Sequence, residues 1–348
     1  MRVCIVPEFP YGLMAGGLQV YAEELCAVLN QHGGDVQAEL FAWSDHRPLP
    51  DLFHFVGFPP HWSEIAPLIR HAGVPYVSTM LFGNPRNDHS FRMARLRHWA
   101  TTRILRRQGF DRAVLGASRL LVITEADVRA AQTIYGVPPQ RIAKICNGVS
   151  EAFVTARAEI WQRVHGEADF FLCVGAIQPR KNQLRLVECA NALRKPLVLL
   201  GPELPGEHEY SRLVEAAMSA NRTFGGRWIK DLRFDDPRLI SAYGACRAFV
   251  LPSVRETQPL SVLQAMAARK PVLLGVADYQ KDPPFAGLPS ADPNDPKAFQ
   301  EALESAWYRG VATSLPQEHS WPEIARQTLQ IYREVVRGCA KRQSETLV

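Results

Sequence analysis

The sequence predicts an α/β protein of two domains, each built on a doubly wound parallel sheet. Short apolar runs of strand length alternate with stretches of helical spacing along nearly the whole chain. The alternation pauses between about residues 150 and 168 and then begins again. The chain has 348 residues, which suits two domains of roughly 150 to 180 residues better than one core. These observations set the expected division at 1–165 and 166–321, with a last helix at about 322–338 packing back on the first domain.

Taken in order, Arg2 to Pro7 is a first strand, and a turn-rich loop containing Gly12, Gly16 and Gly17 follows it. Leu18 to Leu29 carries apolar residues at helical spacing and ends at His32-Gly33-Gly34. The opening is strand, glycine loop, helix, without the Gly-x-Gly-x-x-Gly fingerprint, so a nicotinamide cofactor is disfavoured. Its paired glycines suit either a phosphate or a simple turn. Further strands are expected at Val36 to Phe41, Leu52 to Val56, Val74 to Thr79, Leu120 to Ile123 and Ile142 to Ile145, before a turn at Cys146-Asn147-Gly148. The second series has strands from Phe170 to Ile177, Pro196 to Leu200, Arg227 to Ile229, Ala248 to Leu251 and Pro271 to Leu274. Its helices are Leu184 to Leu193, Tyr210 to Ala220, Pro237 to Ala245 and about Pro259 to Ala268, and Trp321 to Val336 closes the chain.

Composition narrows the functional classes. Apolar residues make up 47% and charged residues 22%, an ordinary globular balance without a disordered excess. No apolar run reaches the roughly 18 residues that span a bilayer, and the first ten residues read as a strand rather than a secretory leader. The seven cysteines are scattered and never spaced Cys-x-x-Cys, which disfavours a zinc site and a disulfide framework and makes a reducing cytoplasm the expected compartment. A net charge of +5 implies an anionic partner: phosphates, membrane headgroups and nucleic acid all qualify.

The chemistry concentrates where loops leave the strands. In open α/β sheets, ligands bind at the carboxyl ends of the strands, so two such domains would present their sites to one interdomain cleft. The first domain offers Gly16-Gly17, and the second offers Arg180 and Lys181 after one strand and Glu256 with a helix N-terminus after another. Two cations, a helix dipole and free backbone N–H groups suit a diphosphate without calling on a metal, and no Asp-x-Asp pair or histidine cluster suggests one. Glu256 can accept from sugar hydroxyls, and Gln264, eight residues on, could face the same ligand. From spacing alone, the unit from Ala248 to Leu274 reads equally as ordinary scaffold with a solvated Glu and Gln.

In their order, these motifs resemble the family 4 retaining glycosyltransferases of the GT-B fold, over nearly the whole chain. Pro7 to Glu24 is similar to the family's glycine-pair loop and helix, and Val174-Gly175 with Pro179-Arg180-Lys181-Asn182 to its phosphate loop. Pro252-Ser253, Glu256, Pro259-Leu260, Ala265-Met266-Ala267 and Pro271-Val272 are similar to its signature strand and helix, and Trp321 fits the head of the last helix. The resemblance implies two Rossmann-like domains facing a cleft, and transfer of a hexose-type sugar from a nucleoside-diphosphate sugar to an acceptor hydroxyl, with retention and without a metal or other cofactor. It implies that Lys181 and Arg180 bind the diphosphate and that Glu256 holds the transferred sugar. Gly16, Gly17, Gly175, Thr257, Gln258, Pro259, Leu260 and Ser261 would surround the donor, and Gln264 would address the ribose. Cell-surface polysaccharide or glycolipid synthesis at the inner face of the membrane is the implied setting, with a lipid-linked saccharide as one acceptor. The alternative on the same fold is a non-catalytic nucleotide-sugar-binding or scaffolding protein.

Three positions depart from the family pattern. Gln264 stands where a second Glu is usual, and an amide lacks the charge that strengthens a bond to a hydroxyl. Ala176 follows Gly175 where an Arg is expected nearby, leaving Arg180 to substitute. Leu81-Phe82-Gly83-Asn84 replaces a usual His, with Asn84 or His89 available in its stead. The arginine-rich segment 86–107 reads either as a basic amphipathic surface for anionic lipid or as a solvated helix; its aromatics match no nucleic-acid-binding pattern. His54 and His61-Trp62 either border the acceptor or pack; Glu125 could border the cleft, while Thr124 is expected to cap the next helix.

Overall fold

The structure is a computed structural model. It describes the chain apart from residues 10–16, 43–45, 58–61, 83–87, 101–108, 167 and 347–348, with backbone alone for 88–90, 109–111, 278 and 342–346. The chain divides into two units, Met1–Gly148 with Glu318–Val348, and Val149–Gln317.

The first unit holds a six-stranded, all-parallel sheet in the order β2-β1-β3-β4-β5-β6, formed by β1 (Arg2–Pro7), β2 (Gln37–Leu40), β3 (Leu52–Val56), β4 (Tyr76–Met80), β5 (Arg119–Val122) and β6 (Ile142–Lys144). Central strands β3 and β4 are buried along their full length, as expected of a parallel sheet covered on both faces. One face carries the helices Gly17–His32 and Trp321–Thr346, joined through Tyr21, Leu25, Leu29, Ile324, Leu329 and Tyr332. The other carries the helices Trp62–His71 and Gly109–Gly116 over Phe53, Phe55 and Tyr76. Trp62, read as bordering the acceptor or packing, starts a helix and packs: it is 1% exposed, with its ring against Phe55 in the core.

The second unit repeats the scheme with β7 (Phe171–Val174), β8 (Leu197–Leu200), β9 (Arg227–Ile229), β10 (Ala248–Leu251), β11 (Val272–Gly275) and β12 (Ser290–Ala291). The order β12-β11-β10-β7-β8-β9 is again all parallel. Strand order reverses between β7 and β10, the topological switch point where open sheets leave a crevice.

Two boundaries differ from the expectation. Residues 149–165 join the second unit because Phe153 and Trp161 are buried in its core beside Tyr243 and Phe170. Residues 318–321 join the first, where the Trp321 ring lies so close to Gly148 that a Cβ there would come within 2.5 Å of it. Sequence reading also passed over β12, with only two residues, and the helix Pro296–Arg309, which Asp295 caps through the Ala298 N–H.

Candidate donor site in the second unit

The loop after β7 is built to carry a lysine past a glycine. Gly175 has φ +146°, and a Cβ there would stand 2.9 Å from Lys181 Nζ, so this turn excludes a side chain. The chain then turns through a 3-10 segment at Pro179–Lys181 and through Asn182 at φ 54° into the helix Gln183–Ala192. Gln183, fully buried, closes the loop: its Nε2 donates to the Ala176 carbonyl at 3.0 Å, and its Oε1 accepts from Gln178 N–H at 3.4 Å.

The loop after β10 meets this one. Val254 N–H donates to the Arg180 carbonyl at 3.0 Å, and Arg180 Nη1 donates to the Arg255 carbonyl at 2.7 Å. The Glu256 side chain therefore lies between the two loops, where Ser253 Oγ donates to its Oε1 at 2.9 Å and Lys181 Nζ and Arg180 Nη1 each stand 3.0 Å from the same oxygen. Oε2 receives none of these bonds and is left for a ligand's donor. Burial alone would raise the Glu256 carboxyl, but the Lys181 and Arg180 charges and the Lys181 and Ser253 hydrogen bonds outweigh it and hold it below its ordinary value. Two cations face one carboxylate, so the cluster keeps a surplus positive charge, a suitable seat for an anion.

Beside it starts the helix Leu260–Ala267. Pro259 precedes it without a side-chain cap, so the Leu260 and Ser261 N–H groups have no intrahelical acceptor. Gln258 is buried and Thr257 half-buried in the approach. Gln264 is half-buried, and its Oε1 accepts from the Tyr243 hydroxyl at 2.9 Å. Tyr279, in the turn after β11, has a buried hydroxyl without a hydrogen-bond partner; burial first, and the nearby Glu256 charge second, push its pKa far up. Sequence reading missed Tyr279, Gln183 and Tyr243. Tyr279 arrives from a different strand, and no spacing along the chain announces it.

The structure thus gathers Arg180, Lys181, Glu256, Gly175, Gln258 and the start of the 260–267 helix about the β7/β10 switch point. Gly17 is exposed at the start of its helix in the first unit, while Gly16, Asn84 and His61 lie outside the described residues. His89 falls in the helix Asp88–Trp99, described by its backbone alone. Of the two readings of His54, at the acceptor or in the packing, the structure shows packing: it is 0% exposed in the middle of β3, where Nδ1 meets Tyr332 Oη at 2.5 Å and Nε2 meets Thr79 Oγ1 at 2.7 Å. Glu125 sits exposed in the first turn of the helix that Thr124 caps, paired with Lys144 at 2.5 Å.

Known proteins resemble the chain over both of its sheets. The family described as Glycosyl transferases group 1 matches residues 168–307, and the one described as Glycosyltransferase Family 4 matches residues 38–153. An alpha-maltose-1-phosphate synthase of Mycobacterium tuberculosis is 28% identical over 252 residues, 64% of this chain and 65% of the relative, just under two thirds of its length. An O-antigen chain mannosyltransferase B of Escherichia coli is 29% identical over 180 residues, 47% of this chain and 45% of the relative. Among solved structures, Anabaena HepE in complex with UDP and glucose superposes with a TM-score of 0.63 at 15% identity, covering 100% of this chain and 99% of that one, a likeness of fold. With a family match on each of its two sheets, the chain belongs to the family 4 glycosyltransferases and has the GT-B fold.

Proposed function

We propose that the chain transfers a hexose-type sugar from a nucleoside-diphosphate sugar to an acceptor hydroxyl with retention of anomeric configuration. The convergence of Lys181, Arg180 and Ser253 on one oxygen of Glu256, beside an uncapped helix N-terminus, carries the reading. Lys181, Arg180 and the Leu260 and Ser261 N–H groups hold the diphosphate and neutralise its charge as it leaves, with no metal taking part. Glu256 Oε2 accepts from hydroxyls of the transferred sugar. The bond from the anomeric carbon to the phosphate oxygen breaks while the acceptor oxygen bonds to that carbon on the same face. The acceptor proton passes to the departing phosphate. The relatives, among them a mannosyltransferase and a maltose-1-phosphate synthase, support sugar transfer as the activity.

In this reading the acceptor belongs to cell-surface polysaccharide or glycolipid synthesis, lipid-linked saccharides included, and the protein works at the cytoplasmic face of the membrane. Met93, Leu96 and Trp99 are exposed on the helix Asp88–Trp99, among exposed Arg92, Arg95 and Arg97, the composition of a surface that meets anionic lipid. No helix among the described residues is long and apolar enough to cross a membrane.

A panel of UDP-, GDP- and TDP-sugars with lipid and oligosaccharide acceptors, read by NMR of the product's anomeric centre, tests the proposal. A product with the donor's configuration is expected, and an inverted product would sink the retaining mechanism. Gln264 in place of an acid favours one competitor, a donor-binding protein that transfers nothing: nucleotide binding without turnover on any acceptor would support it.

A further inference from the structure

The chain leaves the first unit after Gly148 and re-enters it at Glu318, and the two passages lie side by side. Two contacts lock them together: the Trp321 ring against Gly148, and His319 Nδ1 with the Asn147 carbonyl at 2.9 Å. Since a carbonyl only accepts, Nδ1 carries the proton, and Nε2 presents its lone pair. That atom is buried without a hydrogen-bond partner, on a residue 0% exposed. A buried imidazole nitrogen with nothing to bond costs stability and calls for a ligand. Around it stand Cys146 and Glu318, whose donor atoms lie with Nε2 within 4.8 Å of one another.

We propose that Cys146 Sγ, His319 Nε2 and the Glu318 carboxylate form a binding site for one borderline-soft divalent cation of the zinc type. Thiolate, imidazole and carboxylate are the ligand set zinc takes, at about 2.3 Å to sulfur and about 2.0–2.1 Å to nitrogen. Tetrahedral coordination at those lengths places ligand atoms roughly 3.5 Å apart, so closing the site takes a shift of about 1 Å. Glu318, with its side chain 57% exposed, moves freely enough to supply it. The Nδ1–H bond to a backbone carbonyl fixes tautomer and ring orientation, as the outer partners of metal-bound histidines do. Water fills the fourth position. Binding releases the Cys146 thiol proton to solvent and leaves no redox change. None of the donors belongs to the second-unit site, so the cation is structural: it cross-links the outgoing and returning passages of the first unit. No Cys-x-x-Cys spacing marks it, because its ligands come from segments 172 residues apart at the Asn147–His319 bond.

The test uses the full-length protein, reduced and stripped with a chelator, then titrated with Co2+ as an optical probe. One equivalent should bind with a thiolate-to-cobalt charge-transfer absorption, which Zn2+ then bleaches. Cys146→Ser should abolish that absorption, and Glu318→Gln, a change at an exposed side chain, should weaken Co2+ binding at least about tenfold. The melting temperature of Glu318→Gln in metal-free buffer should match the wild type. An absent charge-transfer band overturns the proposal, as does a band that survives Cys146→Ser, since the half-exposed Cys26 or Cys339 would then be the ligand.

Discussion

Two buried polar clusters, one in each unit, show how a closed group differs from an open one on the same kind of sheet. In the first unit His54 sits in mid-strand with both ring nitrogens engaged, by Tyr332 and by Thr79, and all three residues are at most 2% exposed. Burial pulls its pKa down to about 3, so the network is neutral, sealed and complete. In the second unit Glu256 sits past a strand end, holds its charge through Lys181 and Arg180, and leaves one oxygen and a surplus positive charge unspent. A satisfied network in mid-strand has no capacity for a ligand. An unbalanced one at a switch point does.

The largest break in this contrast should come from Lys181→Met. It removes the most buried cation at Glu256 and, in this account, a diphosphate ligand, so kcat should fall by about 10²–10³-fold in initial-rate assays. Tyr332→Phe should do the reverse. It leaves His54 Nδ1 unpaired, costs about 1–3 kcal/mol in urea unfolding of the first unit, and leaves nucleotide Kd unchanged.

The two clusters also part company with pH. His54 has a folded pKa of about 3 against 6.5 in the open chain, so the unfolded state takes up the proton first as pH falls. The stabilisation it gives is full above about pH 6.5 and is lost progressively toward pH 3, so the stability gap between wild type and His54→Asn should narrow over that range. Glu256, held below its ordinary 4.5, supports the fold above that pH and loses its contribution only as pH drops through its lower folded value. Between pH 6.5 and 4.5 a Glu256→Gln variant should therefore keep a constant offset from wild type.

Smaller effects sharpen the donor side. Gln264→Glu should bind nucleoside diphosphates about tenfold more tightly by calorimetry, because a carboxylate accepts a ribose hydroxyl more strongly than an amide does. Arg180→Gln should weaken binding only a few-fold, and less at high salt, because its side chain is 42% exposed and solvent screens it.

Much of the fold was legible because its signals are local. Apolar runs placed eleven of the strands to within a few residues, and Gly175, Lys181 and Glu256 stand at the ends of two of them. What stayed hidden was non-local. His54 could be read either way because nothing in LFHFV shows that Tyr332, 278 residues away, closes over it. The helix Trp62–His71 went unread because Pro67 interrupts its pattern. Tyr279 and the Cys146–His319 pair depend on which strands and passages become neighbours, which periodicity does not encode.

Calorimetric titration of UDP and GDP into wild type, Lys181→Met and Tyr332→Phe tests the central contrast most directly. The account predicts saturable binding of one of them to wild type, loss of at least about tenfold in affinity for Lys181→Met, and an unchanged Kd for Tyr332→Phe. Equal affinity in wild type and Lys181→Met, or a loss confined to Tyr332→Phe, would contradict it.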